Sequence, residues 1–393
     1  MSADPADRLA RAALLRVLEP GWAPLHALVA RCGAVEVWER LRGRGPVGDL
    51  PPARVEGARL RAEGCDPVRD LAALARLGGR LVVPGDDEWP VEALDWPPGA
   101  LEDAPPLGLH VRGEADLAGT TARSVAVVGA RAASAYGVVV ARELSFGLSE
   151  RGWAVVSGAA VGIDAAAHEG ALSAGAAPTV AVLACGLDRA YPAGHAGLLA
   201  RTVRGGGLVV SEVPVGSAPT RNRFLVRNRV IAALSQGTVA VEAAARSGSL
   251  ATLARARALG RHAMAVPGPV TSAASAGSNQ ALVDGAQCVT GARDVLAVVA
   301  PLDAAQELRA GEVRARDALS ASARAVLDAV PVRRPAGVAG IARAAGVPAL
   351  LVQQVLPPLV LHGLVEQLPD GFRLTPLGAG RPASGGVRVS AGP

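Results

Sequence analysis

Apolar residues recur at helical spacing near the start of the chain, where Leu9, Ala13, Leu14 and Val17 share one face. Pro20-Gly21 breaks that helix, Pro24 can start the next, and two more helical stretches fall near 35–41 and 54–62. These patterns predict a small all-α module over residues 1–78. From Arg80 the period changes. Residues 80–83 and 107–112 read as strands on either side of an irregular, Pro-rich stretch at 90–108.

A regular alternation follows. Short, continuous apolar runs at 124–128, 154–157, 179–183, 208–211, 238–241 and 262–266 read as strands. Helical patterns lie between them at 137–150, 163–174, 196–203, 225–234 and 250–259. Strands of this kind belong to a parallel sheet covered on both faces. The predicted fold class is therefore α/β, a doubly wound parallel sheet over residues 79–296. Its ligands should bind at the carboxyl ends of the strands. Residues 297–318 read as a polar connector. Residues 319–378 show three helices and then two short strands around Pro369-Asp370-Gly371, which is the winged-helix order. The Gly/Ser/Pro-rich tail at 379–393 has the composition of a disordered segment.

Charge sharpens this picture. The chain has 393 residues, a net charge of +5 and a pI near 9.6, which favours polyanionic partners. All 40 basic residues are arginines, so every cation can grip phosphate with a forked pair of donors. Cys32, Cys65, Cys185 and Cys288 are far apart and show neither zinc-ligand nor disulfide-framework spacing. Reduced thiols, an N-terminus without a secretory pattern and apolar runs too short to span a bilayer together predict a cytoplasmic protein with no membrane partner.

The densest chemistry lies between Ser217 and Arg261, which hold eight arginines and one acid, Glu242. Within this segment Arg223 and Arg227 stand one helical turn apart, Arg229 points elsewhere, and no interleaved acid pairs with them locally. An external anion is the expected partner. Three further loops follow strand ends. Gly129-Ala130-Arg131 allows close backbone approach under a cation. Ser157-Gly158 leads through Gly162 to a helix and can form an anion nest. Arg246-Ser247-Gly248-Ser249 opens another helix, whose N-terminal N–H groups suit a phosphate. That loop lacks the lysine of an ATP-binding P-loop, so ATP hydrolysis is not expected. Asp164 suits a helix cap, and His168 a packed rather than catalytic histidine. No metal or cofactor is indicated.

Taken together, these loops are specific. They include Val-Gly-Ala-Arg (128–131), Ser-Gly-x-x-x-Gly-Ile-Asp-x-x-x-His (157–168), Gly-Leu-Asp-x-x-Tyr-Pro (186–192), Ser-Glu-x-Pro-x-Gly (211–216), Phe-x-x-Arg-Asn-Arg (224–229), Glu-Ala-x-x-Arg-Ser-Gly-Ser-Leu (242–250) and Ala-Val-Pro-Gly (265–268). In this order they resemble the DprA/Smf family of DNA-processing proteins, over about residues 80–295. The resemblance implies an extended Rossmann-like core that dimerises, an N-terminal module like a degenerate helix-hairpin-helix, and no catalytic site. It further implies binding and protection of single-stranded DNA and loading of a RecA-type recombinase in natural transformation.

The candidate DNA contacts are Gly129, Arg131, Ser157, Gly158, Arg223, Phe224, Arg227, Asn228, Arg246, Ser247, Gly248 and Ser249. Phe224 stands where either a stacked base or the core would accept it. The chain departs from the family pattern at Val161, where an arginine is usual, and at Leu225-Val226, where Pro-Arg is usual. One phosphate contact is then either lost or replaced by Arg221 or Arg223. Two rival readings stand beside this one. A nucleoside-monophosphate glycosidic hydrolase would use Glu242 with Arg246, and a transcription regulator would use the winged helix.

Overall fold

Aspartate and proline set the starts of the N-terminal helices α1 (Pro5–Val17), α2 (Ala23–Cys32), α3 (Ala34–Arg42), α4 (Pro52–Ala62) and α5 (Pro67–Arg76). Asp4 and Asp66 accept from N–H groups of the first turns of α1 and α5. Proline occupies one of the first two positions of α1, α2, α4 and α5, where its missing N–H goes unneeded. The computed structural model describes residues 3–97, 99–300 and 319–376, in two compact units, 3–300 and 319–376.

After α5 come β1 (Gly79–Val82), α6 (Val91–Leu94), β2 (Leu109–Arg112) and α7 (Leu117–Ala122). The alternating part then runs β3 (Ser124–Val128), α8 (Ala135–Glu150), β4 (Ala154–Ser157), α9 (Ile163–Ala174), β5 (Thr179–Leu183), α10 (Ala196–Arg204) and β6 (Leu208–Ser211). It continues through α11 (Arg221–Ala233), β7 (Gly237–Ala240), α12 (Gly248–Ala258), β8 (His262–Ala265), α13 (Ala276–Val283), β9 (Gln287–Cys288) and α14 (Ala292–Val299). Nine strands form one sheet in the order β1-β2-β6-β5-β4-β3-β7-β8-β9. The seven from β6 to β9 are parallel, and β1 and β2 extend one edge antiparallel. This is the Rossmann-like, doubly wound sheet that the pattern predicted.

Residue alternation divides the core into layers. Val125 and Val127 of β3 pack with α8 and α9, whereas Ala126 and Val128 pack with Val230, Ile231 and Leu234 at α11. Ala181 and Leu183 of β5 share a cluster with Leu14, Leu28 and Leu41 of the N-terminal helices. Those helices therefore cover the sheet instead of standing apart from it. The chain moves outward from β3 to β6 and then returns to place β7 against the other side of β3. The crevice between the carboxyl ends of β3 and β7 is the topological switch point, where open α/β sheets bind ligands.

One helix start differs most from the sequence reading. Helix α11 begins at Arg221, four residues before the predicted start, because the Thr220 side chain accepts from the Arg223 N–H and caps it. The arginines therefore lie within a helix from its first turn.

The second unit, by itself, holds α15 (Ala321–Ala329), α16 (Val338–Ala345), α17 (Ala349–Leu361) and the antiparallel pair β10 (Val365–Leu368) and β11 (Gly371–Leu374). Pro357-Pro358, a pair that ordinarily breaks a helix, does not interrupt α17. Val352, Leu356 and Leu359 bury the opposite face, and the carbonyls that lose a donor belong to the exposed Gln353 and Gln354. Most of the predicted connector, from residue 301, and the predicted disordered tail lie outside the described residues.

Candidate functional site

A cavity of about 270 Å³ opens at the switch point. Four separate segments line it: Gly129 and Arg131 after β3, Ala160 and Asp164 after β4, Phe224, Leu225, Arg227 and Asn228 of α11, and Ser247, Gly248 and Ser249 at the start of α12. Loops spread over more than a hundred residues of sequence thus meet at one place.

Arg227 is the centre of the site. It is 8% exposed, and its Nη1 donates to the carbonyl oxygens of Gly158, at 2.8 Å, and Val182. Its Nε has no hydrogen-bond partner among the described residues. Burial lowers its pKa to about 10, so the guanidinium keeps its charge at neutral pH. The close approach depends on Gly158. A Cβ there would stand 2.5 Å from Arg227 Nη1.

Asp164 lies behind this cation, buried, with Oδ2 accepting from the N–H groups of Gly158 (3.2 Å) and Ala160 (3.4 Å). It thereby shapes the loop after β4. Burial raises its pKa, against the opposing pull of Arg227 and the two N–H groups.

Helix α12 brings its N-terminus to the cavity. Ser247 caps it, its Oγ 2.7 Å from Ser249 Oγ and accepting from the Ser249 N–H at 3.3 Å. Two hydroxyls and a helical N-terminus next to two guanidiniums have the chemistry to accept an anion. Asn228 joins the halves by donating from Nδ2 to the Gly248 carbonyl at 3.3 Å. Arg131 is exposed at the mouth, its guanidinium carbon 5.1 Å from the centre of the Phe224 ring.

Four candidate contacts lie off the cavity lining. Ser157 is fully buried and donates its hydroxyl to the Val127 carbonyl. Gly158 sits one layer below, under Arg227. Arg246 is exposed outside the cavity. Arg223 turns away: its Nε and Nη2 pair with both oxygens of Glu19 at 2.9 and 2.8 Å, and its Nη1 donates to the Ala218 carbonyl. It does not replace the arginine missing at Val161.

The acids that neutralise the basic segment come from far along the chain. Glu19 pairs with Arg223, Glu212 with Arg229 and Asp103 with Arg255. No acid within the segment pairs with these arginines, as expected, but an external anion is not needed at Arg223, Arg229 or Arg255. Arg227 is different, for no carboxylate lies within ion-pair distance of it among the described residues. Sequence reasoning missed Asp164, Leu225 and Thr252 as lining residues. The Asp164 signal was present, since an acid after Gly162 on a loop beside arginines is placed to organise them.

Glu242 lies outside the lining. Its two oxygens accept from the Ser134 N–H and hydroxyl, both at 2.8 Å, at the start of α8. His168 is buried with Nδ1 2.8 Å from Thr179 Oγ1 and serves packing.

A doubly wound sheet with an arginine-lined cavity at its switch point defines a Rossmann-like α/β protein. The profile of the family described as DNA recombination-mediator protein A matches residues 80–300. A Mycobacterium tuberculosis protein named as DNA processing protein DprA is 47% identical over 394 residues, covering 98% of each chain. DNA processing protein DprA of Streptococcus pneumoniae is 40% identical over 206 residues, 52% of this chain and 71% of that one. The X-ray structure of the Streptococcus pneumoniae protein matches with a TM-score of 0.58 at 30% identity, covering 76% of this chain and 98% of that one. The chain belongs to the DprA/Smf family of DNA-processing proteins, as its loop motifs implied.

Proposed function

We propose that this protein binds single-stranded DNA without cleaving it, holding backbone phosphate in the switch-point cavity. The carrying observation is Arg227, a buried and charged guanidinium with carbonyl partners only, facing Arg131 and the start of α12. An anion there completes the charge balance. Phosphate contacts carry no sequence information, so the protein discriminates little between sequences. Gly129, Arg131, Arg227, Asn228 and the Ser247–Ser249 turn are the proposed contacts. The hydrolase reading loses its carboxylate, because Glu242 uses both oxygens on Ser134.

The family's description as a recombination mediator supports a RecA-type recombinase as the protein partner, with the bound strand protected and handed on. A homodimer would set two cavities on one strand and raise avidity. Among the described residues no single helix is long and apolar enough to cross a membrane. The proposed location is cytoplasmic, where single strands and recombinase meet.

The test is a salt titration of labelled oligo-dT binding to wild type and Arg131→Ala. Each phosphate contact adds about −0.7 to the log–log slope for single strands. Wild type should show a steep slope, and the exposed Arg131→Ala change should weaken binding and make the slope shallower by about 0.7. A wild-type slope near zero would overturn the phosphate mechanism.

A further inference from the structure

The motif Gly186-Leu187-Asp188-x-x-Tyr191-Pro192 lies off the cavity lining yet reaches its edge. Its loop is pinned. The Gly186 N–H donates to the Ser217 carbonyl at 3.0 Å, Asp188 Oδ1 accepts from the Gly216 N–H at 2.8 Å, and His195 Nδ1 sits 2.9 Å from the Ala159 carbonyl oxygen. The last bond ties this loop to the one that follows β4.

From the pinned loop Tyr191 extends over α11. Its ring centre lies 5.2 Å from that of Phe224, with the planes at 49°. Phe224 in turn contacts the Arg131 guanidinium. Arg131, Phe224 and Tyr191 therefore run in series from the mouth of the cavity toward solvent. Tyr191 is 43% exposed, and two apolar side chains, Val161 in the loop after β4 and Leu225 on α11, are each 44% exposed. Both stand where the family pattern carries something else, and Leu225 lines the cavity with an apolar side chain. An aromatic ring fixed in water by a braced loop gains little from the core. It gains much from a flat, weakly hydrated ligand face.

Building on the single-strand reading above, we propose that Tyr191 is the platform of a nucleobase subsite. A phosphate occupies the cavity, and an adjacent unpaired base stacks on the Tyr191 ring. Phe224, whose ring already contacts both neighbours, is a positioning residue that holds Arg131 and Tyr191 in place. Stacking of this kind accepts any base, because each has a π-face. With one cation lost at Val161, the stacked base supplies part of the affinity that other chains of this pattern draw from charge.

The experiment compares oligo-dT with an abasic oligonucleotide of equal length, using the full chain and its Tyr191→Ala, Tyr191→Leu and Tyr191→Phe variants. For oligo-dT, Tyr191→Ala and Tyr191→Leu should bind about tenfold or more weakly, and Tyr191→Phe should bind like wild type. All four proteins should bind the abasic strand equally, and their salt slopes should agree, since no phosphate contact is lost. The Tyr191→Leu variant keeps a side chain over Phe224 and so separates stacking from loop support. Equal oligo-dT binding by wild type and Tyr191→Ala would overturn the subsite. So would a parallel loss on the abasic strand, which would make Tyr191 a brace for the loop. Failure of wild type to bind either oligonucleotide would overturn the single-strand reading and this subsite with it, a pattern no variant-specific loss can imitate.

Discussion

Arg227 and Arg229 stand two residues apart on one helix and have opposite tasks. Arg229 is fully buried, and both its terminal nitrogens meet Glu212 at 2.7 Å, while its Nε donates to the Ala104 carbonyl. That pairing consumes the charge. Arg229→Ala should cost about 3–5 kcal/mol in chemical denaturation, because it leaves Glu212 buried without a partner. The buried histidines also set a pH window. Burial lowers His168 to about 3 and His110 to about 4, against an ordinary 6.5. The unfolded chain takes up protons that the fold refuses between those values. Stability is thus complete above pH 6.5 and declines as pH falls toward 3–4. Melting temperature measured from pH 7 to pH 4 should drop, and His168→Gln should make that drop shallower.

Among elements, α11 shows what a sequence can and cannot declare. Periodicity placed β3, β4, β5, β6 and α9 at their observed bounds, since continuous apolar runs between turn residues leave little choice of structure. Its limits appear where distant partners decide. The start of α11 was missed because an Arg/Asn-rich first turn has no apolar face. Its hydrophobic residues begin only at Phe224, and the cap that starts it, Thr220, gives a weak signal by itself. The same limit governs the site. The loops after β3 and β4 and the turn before α12 were legible from glycine, serine and arginine at strand ends. The separation of Arg227 from Arg223 was not, because Glu19 lies 204 residues from Arg223. Tyr191 was legible only as part of a motif. Its contact with Phe224 belongs to the fold.

On the scale of the whole first unit, the N-terminal helices and the sheet are one object. Leu14, Leu28 and Leu41 share a core with Ala181, Leu183 and Val209, and Arg8 grips Asp86 with two nitrogens, at 2.6 and 2.9 Å. A chain beginning at residue 79 would expose that apolar face. It should melt at a lower temperature than the full chain and aggregate on heating, as thermal denaturation with light scattering would show. The N-terminal segment also touches α11 itself. Gly21 (φ 76°) lies so close that a Cβ there would stand 2.8 Å from Val226 Cγ1, and Glu19 holds Arg223. The helix that carries Arg227 is therefore steered from behind, by residues outside the cavity lining. Natural drift or laboratory selection at Glu19 and Gly21 has a handle on the proposed affinity that leaves every proposed phosphate contact intact, so that affinity can evolve by tilting a helix instead of rebuilding a pocket.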